Sequence, residues 1–117
     1  MAKLLFVYGT LKQDQCRANV LKGQKFIGFA TTAEGFGLFD LGPYPAMKKT
    51  PAGIAKGELW EVNDNLIPTL DAIEGSPFLY KLEPVQLTSH PDLKVEAYLF
   101  QRQLPKVAQI ETWPLKI

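Results

Sequence analysis

The stretch at residues 4–8, Leu-Leu-Phe-Val-Tyr, is the longest apolar run of the chain, and Gly9, Thr10 and Leu11 follow it directly. An unbroken apolar run of five residues is typical of a β-strand that is buried on both faces. The glycine after it predicts a turn in which the backbone can approach another group closely. The sequence therefore predicts a doubly buried strand that ends in a tight turn.

The rest of the pattern is dominated by further strands, separated by turns rich in glycine and proline. Strands are expected at residues 26–32, 38–41, 53–62, 80–88 and 93–100, and short helices at residues 14–21 and 64–75. Gly28 indicates a bulge, Pro84 indicates an edge or a bulge, and the tail from residue 103 is expected to lack regular structure. Because neither helix is long enough for a doubly wound sheet, these elements favour an α+β fold, a small mixed barrel.

The composition is that of one compact domain. The 117 residues are 46% hydrophobic, which is enough for a core, and thirteen basic and twelve acidic residues leave a net charge of +1. This balance gives no electrostatic reason to expect nucleic acid or an anionic membrane as a partner. The single cysteine, Cys16, cannot form an internal disulfide, and no apolar run is long enough to span a membrane. We therefore expect one cytoplasmic domain over residues 1–117.

Glu74 is the residue whose position is hardest to explain by packing. On a helix over residues 64–75, Glu74 projects between Ile67 and Leu70, inside the apolar face. Gly75 is expected to end the helix, which places the carboxylate in the last turn, at the negative end of the helix dipole. Apolar surroundings and the dipole both raise the pKa of the carboxyl, and a pKa near neutrality suits a general acid or base. The alternative is a partly exposed Glu74 that bends into solvent.

The other polar features are weaker signals. Successive amides of Gly9, Thr10 and Leu11 are placed to hold an anionic group, although such a turn also occurs without a ligand. One histidine and one cysteine are too few for a zinc site, and no glycine-rich phosphate-binding pattern is present. These residues alone predict acid–base chemistry on a small polar substrate, without a metal.

Several segments, taken in order, resemble the gamma-glutamylcyclotransferase-like (AIG2-like) family, and within it the gamma-glutamylamine cyclotransferase branch. They are FVYGTLK at residues 6–12, GPYPA at 42–46, GELW at 57–60 and LDAIEGSP at 70–77, followed by Tyr80 and Lys81. The family commonly has arginine where this chain has Lys81. Since lysine cannot form a bidentate fork, the role of that position stays open.

The resemblance implies a mixed, closed β-barrel with short helices around a small pocket, and a reaction without a cofactor. A small-molecule γ-glutamyl amine or γ-glutamyl amino acid would become 5-oxoproline, with release of the free amine. The residues implicated are the catalytic Glu74 and, in substrate binding, Tyr8, Gly9, Thr10 and Leu11. Tyr80 and Tyr98 are further candidates for the pocket wall, although packing explains them equally well.

Two other functions stay open at this point. A family member that kept the pocket without turnover would bind a small carboxylated metabolite and not consume it. An interaction module would present an exposed face to a protein, and no feature of the sequence favours it. Glu74 favours the enzyme, because the binding of a carboxylate gains nothing from a second carboxylate nearby. The sequence determines neither the leaving amine nor the oligomeric state.

Overall fold

The structure is a computed structural model that describes residues 2–13, 15 and 17–114. Within these residues the strands are β1 Ala2–Val7, β2 Lys25–Thr31, β3 Phe36–Asp40, β4 Pro45–Lys49, β5 Lys56–Asn63, β6 Tyr80–Val85, β7 Val95–Phe100 and β8 Gln109–Ile110. The helical elements are a 3₁₀ turn at Ala18–Leu21, and another at Asp64–Leu66 that leads directly into helix α1, Ile67–Glu74. None of the described helices has the length and apolar character needed to cross a membrane.

The strands form two sheets, and β1 is the centre of the larger one. Five strands run in the order β2-β5-β1-β7-β6, and three run in the order β4-β3-β8. β1 is antiparallel to β5 and parallel to β7. Side chains of β1, and of Tyr8 directly after it, alternate between two buried clusters, with Phe6 and Tyr8 in one and Leu5 and Val7 in the other. The prediction of a strand buried on both faces is confirmed.

The α+β class is confirmed, whereas a closed barrel is not. β2 and β6 are the two edges of the larger sheet, and in the described residues they are connected through an isolated bridge between Thr32 and Leu87. Two backbone hydrogen bonds of 2.8 and 2.9 Å flank this bridge. The bridge lies beyond the ends of both strands, so the sheet curls until its edges touch at one end and no continuous ladder closes it.

Two details of the strands agree with the sequence. The register of β2 against β5 shifts between Phe26 and Gly28, which is the bulge predicted at that glycine. β6, which contains Pro84, is an edge strand that pairs with β7 and with no other strand of the described residues. A proline is tolerated at an edge because its missing N–H does not interrupt a ladder on the free side.

The tail differs from the prediction, because it is part of the fold. Residues 109 and 110 pair with β3 as strand β8. The Trp113 side chain is buried in the core, and its Nε1 donates to Asp40 Oδ1 at 3.1 Å. The prediction is wrong for this short strand, because the pairing joins segments far apart in the sequence, which no local pattern reveals. The other described residues of the tail lie outside helices and strands, as predicted.

Two further elements were predicted incompletely. The helix expected at residues 14–21 is, in its described part, a 3₁₀ turn over Ala18–Leu21. Asp14, at which this helix was expected to begin, lies outside the described residues, as does Cys16. β4 is missing from the prediction because the glycine and two prolines at residues 42–45 favour a turn or loop, whereas the strand begins at the second proline, Pro45.

Gly57 is a point of close approach between β5 and β1. A Cβ on Gly57 would lie 2.3 Å from the carbonyl oxygen of Val7 and 3.0 Å from the ring of Phe6, whereas a Cβ on Gly28 would meet open space. We expect Gly57→Ala to lower the free energy of unfolding by about 1–3 kcal/mol, and Gly28→Ala to change it by about 0.5 kcal/mol or less. Urea denaturation of both variants measures this, and equal stabilities would contradict the close approach.

Candidate active site

A cavity of about 130 Å³ opens where the end of β1, the turn after it and the end of α1 meet. All of the residues predicted for the site line this cavity, namely Tyr8, Gly9, Thr10, Leu11, Glu74, Tyr80 and Tyr98. Some of them come together from opposite ends of the chain, since Tyr8 and Tyr98 are 90 positions apart. Lys81, whose role the sequence left open, is exposed on β6 and does not line the cavity.

The end of α1 sets the position of Glu74. Gly75 adopts a left-handed backbone, with φ at 67°, and its N–H is bonded to the carbonyl oxygens of Ala72 and Asp71. This backbone favours glycine because a Cβ would strain it. The helix therefore ends directly after Glu74, as predicted, and the side chain lies in the last turn beside the cavity.

The surroundings of Glu74 favour its neutral form. Burial raises the pKa of the Glu74 carboxyl from 4.5 to about 7, and the positive charge of Arg17 offsets a smaller part of this rise. In the described part of the chain, no hydrogen bond or ion pair to this carboxylate is found. A carboxyl that titrates near neutral pH can both accept and return a proton.

Three tyrosine hydroxyls of the cavity wall, those of Tyr8, Tyr80 and Tyr98, donate to the protein itself. Tyr8 donates to the carbonyl oxygen of Tyr98, Tyr80 to that of Pro45 at 2.6 Å, and Tyr98 to Asp71 Oδ1 at 2.8 Å. Burial is the main cause that raises the pKa of each of these phenols above its ordinary value. The three tyrosines therefore stay neutral at pH 7, and their hydroxyl hydrogens hold the wall in place.

The bond between Tyr98 and Asp71 connects the helix to the larger sheet. Asp71 lies three residues before Glu74, about one helical turn away, so fixing one side chain restrains the backbone that carries the other. The sequence placed Asp71 only at the edge of the apolar face and gave no signal for this contact. Its partner on β7 becomes visible only in the folded chain.

The turn after β1 lines the cavity with Gly9, Thr10 and Leu11. The carbonyl oxygen of Thr10 accepts from the N–H of Arg17 at 2.8 Å. For the N–H groups of Gly9, Thr10 and Leu11, no protein acceptor is found among residues 2–13, 15 and 17–114. Adjacent N–H groups of this kind can bind an anion or a developing oxyanion. Glycine is required at the start of the turn, because a Cβ there would lie 2.9 Å from the ring of Pro45.

A buried glutamate holds the far side of this turn. Glu58 on β5 is only 3% exposed, and its carboxylate accepts from the backbone N–H of Gln13 at 3.1 Å and from Trp60 Nε1 at 3.0 Å. Such donors compensate for the burial of a carboxylate. Glu58 lies in GELW, one of the segments that resemble the family. That segment alone does not predict the contact of Glu58 with the turn.

Other residues of the cavity were not predicted from the sequence. Arg17 lines the cavity and is exposed to solvent. Tyr44 also lines it and lies edge-on to Tyr80, with ring centroids 6.4 Å apart. The GPYPA segment could have indicated Tyr44 and Pro45, whereas nothing local marks Arg17. In the described part of the chain, no three histidine, cysteine, aspartate or glutamate side chains gather where a metal ion could bind.

Residues 5–115 match the family described as Gamma-glutamyl cyclotransferase, AIG2-like. The chain belongs to this family. The matched region contains the turn after β1, Glu58, Glu74 and the end of α1, so the family resemblance drawn from the motifs is confirmed.

Individual relatives agree with this assignment. The chain is 33% identical to a gamma-glutamylaminecyclotransferase of Rattus norvegicus over 92 residues, which cover 71% of this chain and 62% of the rat protein. It is 29% identical over 86 residues, 74% of each chain, to a Vibrio cholerae protein provisionally named a gamma-glutamylcyclotransferase. The crystal structure of an AIG2-like protein from Mus musculus superposes with a TM-score of 0.82 at 25% identity, covering 96% of this chain and 88% of the mouse chain.

The pKa of Glu74 predicts a cost to stability that depends on pH. The folded protein retains the carboxyl proton up to about pH 7, whereas the unfolded chain releases it near pH 4.3. Between these values the folded state binds more protons, so the free energy of unfolding falls as the pH rises. We expect Glu74→Gln to match the parent in stability at pH 4 and to exceed it at pH 8.

Urea denaturation at the two pH values measures this difference. Glu61→Gln, at an exposed glutamate of β5, controls for the loss of a surface charge. If Glu74→Gln gives the same stability difference from the parent at pH 4 and pH 8, the carboxylate is not penalised by its surroundings.

Proposed function

We propose that this protein is a γ-glutamyl cyclotransferase that converts a γ-glutamyl amine or γ-glutamyl amino acid to 5-oxoproline and the free amine. Membership of the family supports this class of reaction. The observation that carries the proposal is one small cavity lined both by a carboxyl with a pKa of about 7 and by a turn whose N–H groups have no acceptor among the described residues. Glu74 acts as general base and then as general acid. No cofactor takes part, and residues 1–117 act as one domain.

The first step is the loss of a proton from the α-amine of the substrate. This amine is an ammonium ion in neutral water and cannot attack until it is deprotonated. Glu74, which titrates near pH 7, accepts the proton. The free nitrogen then attacks the γ-carbonyl carbon of the same molecule and forms the C–N bond of a five-membered ring.

The attack makes an oxyanion of the γ-carbonyl oxygen. The N–H groups of Gly9, Thr10 and Leu11 stabilise this charge, because they are fixed by the turn and need no reorganisation as it develops. Tetrahedral intermediates of acyl transfer are commonly stabilised by backbone donors of this kind. The turn therefore contributes to the transition state as well as to binding.

Glu74 returns the proton to the departing nitrogen and then accepts the second proton of the ring nitrogen, which the attack leaves with two hydrogens and a positive charge. Glu74 passes this second proton to the released amine, which leaves as an ammonium ion. The bond between the γ-carbon and the departing nitrogen breaks as the carbonyl re-forms. One C–N bond forms and another breaks, so the two products contain all the atoms of the substrate and no water is consumed. The Glu74 carboxylate is regenerated for the next cycle.

The walls of the cavity favour the curled substrate that this ring closure requires. Holding a nucleophile and its target together provides a large part of the rate of an intramolecular reaction. The hydroxyl hydrogens of Tyr8, Tyr80 and Tyr98 are already bonded within the protein. These side chains therefore act in substrate binding as a fixed wall whose oxygens can still accept a hydrogen bond from the substrate.

We expect Glu74→Gln to lower the release of 5-oxoproline by about 100-fold or more, because an amide cannot carry the proton. The assay follows 5-oxoproline from a panel of γ-glutamyl amines, γ-glutamyl amino acids and glutathione. Glu61→Gln, which lies outside the cavity, is the matched control. A folded Glu74→Gln variant with full activity would exclude this role for Glu74.

The same assay on the parent protein distinguishes an enzyme from a protein that only binds the metabolite. If it releases no 5-oxoproline from any member of the panel, but its melting temperature rises with added 5-oxoproline, the protein is a binder of small carboxylated metabolites. That result would overturn the proposed turnover and leave the cavity as a binding site.

The pH profile tests the protonation state of the base. We expect kcat/KM to rise with pH and to reach half of its plateau near pH 7, as Glu74 loses its proton in the free enzyme. Initial rates at low substrate concentration between pH 5 and 9 measure this profile. A midpoint near the ordinary carboxyl pKa would show that Glu74 is not the titrating base.

A further inference from the structure

Arg17 stands beside the turn that begins the cavity. Its backbone N–H donates to the carbonyl oxygen of Thr10 at 2.8 Å, and its own carbonyl oxygen accepts from Val20 N at 3.1 Å. These bonds fix the backbone of Arg17 between the turn and the following 3₁₀ turn. The residue lines the cavity and is also exposed, so it lies at the mouth.

The guanidinium of Arg17 carries a positive charge that the described part of the chain does not neutralise. The two ion pairs found there involve neither Arg17 nor any residue that lines the cavity. This charge nevertheless acts on groups inside the cavity. It lowers the pKa of both Glu74 and Tyr80, although burial raises each of them by more. Arg17 is the one basic residue, and Glu74 the one acidic residue, among the described residues of the wall.

The two charges lie at different depths. The reacting γ-carbonyl must reach Glu74 and the N–H groups of the turn, so the glutamyl part of a substrate occupies the interior. The leaving amine then extends towards the mouth. Two other wall residues are also open to solvent there, Tyr44 at 40% and Leu79 at 36% exposure. The mouth therefore offers two apolar surfaces and one cation to the leaving group.

We propose that Arg17 binds a carboxylate on the leaving amine, and so directs this protein to γ-glutamyl amino acids over γ-glutamyl amines that lack this group. The inference rests on the cyclotransferase function proposed above. A guanidinium at an open mouth suits this role, because it can bind a carboxylate through two parallel hydrogen bonds. Arg17 is thus a residue that determines substrate specificity, separate from the chemistry at Glu74.

Two substrates that differ only in the carboxylate test this assignment. They are γ-glutamylalanine and γ-glutamylethylamide, whose leaving groups are alanine and ethylamine. The measured quantity is the ratio of kcat/KM for the first substrate to that for the second, from 5-oxoproline release at one pH. The ratio is independent of any change in the pKa of Glu74 when Arg17 is replaced, because such a change affects both substrates alike.

We expect the parent to favour γ-glutamylalanine, and Arg17→Gln to lower the ratio by about tenfold or more, the effect of losing a charge-assisted hydrogen bond. Arg17→Lys should give an intermediate ratio, because it keeps the charge and loses the fork. Lys22→Gln removes an exposed positive charge outside the cavity and should leave the parent ratio unchanged.

Two results would overturn the assignment. A ratio that Arg17→Gln leaves unchanged, with both rates reduced, would mean that Arg17 binds the glutamyl carboxylate common to both substrates. An unchanged ratio with unchanged rates would mean that Arg17 does not contact the substrate.

Calorimetry separates this inference from the proposed function. In a Glu74→Gln background, γ-glutamylalanine should bind more tightly than γ-glutamylethylamide, and the added Arg17→Gln change should remove the difference. If the parent releases no 5-oxoproline from either substrate, the cyclotransferase function fails, while the binding difference still supports Arg17. Equal affinities for the two ligands in the Glu74→Gln background would overturn the role of Arg17 whatever the turnover.

Discussion

The burial of β1 on both faces is the constraint on which the rest of the molecule depends. Its alternate side chains belong to two separate clusters, so both faces need cover from other elements. β5 pairs with it along its whole length on one edge, and β7 pairs with it at Leu5 on the other. Beyond the end of the strand, in the turn that begins at Gly9, backbone N–H groups have no protein acceptor among the described residues. The cavity forms at that point because the strand stops there.

Two glutamates near this turn show two outcomes of burial. Glu58 is almost fully buried, and its carboxylate accepts hydrogen bonds from a backbone N–H and from an indole. Glu74 is partly buried, and no such donor is found for it in the described residues. The first supports the turn, and the second has its pKa raised to about 7. A group left in this unfavourable state at neutral pH costs stability, which is typical of residues retained for chemistry.

The tyrosine hydrogen bonds convert this local arrangement into a cavity with a fixed shape. Each bond joins segments that are distant in the sequence, such as the end of β1 to β7 and β7 to α1. Because the hydroxyl hydrogens are already used, the wall does not depend on a ligand to position it. A fixed wall is what an intramolecular ring closure requires, since small displacements of the reacting atoms lower its rate strongly.

The sequence alone determined the elements that depend on neighbouring residues. The apolar run predicted β1, Gly9 predicted the turn, Gly28 and Pro84 predicted the bulge and the edge strand, and helical periodicity with Gly75 placed Glu74 in the last turn of α1. The tertiary structure decided the rest: the pairing of β8 with β3, the bond from Tyr98 to Asp71, the open edge where a closed barrel was expected, and the place of Arg17 at the mouth.

The physical reason is that a helix, a turn or a strand is favoured by residues a few positions apart. A cavity, in contrast, is formed by contacts such as that of Tyr8 with Tyr98, which are 90 positions apart and exist only after the chain has folded.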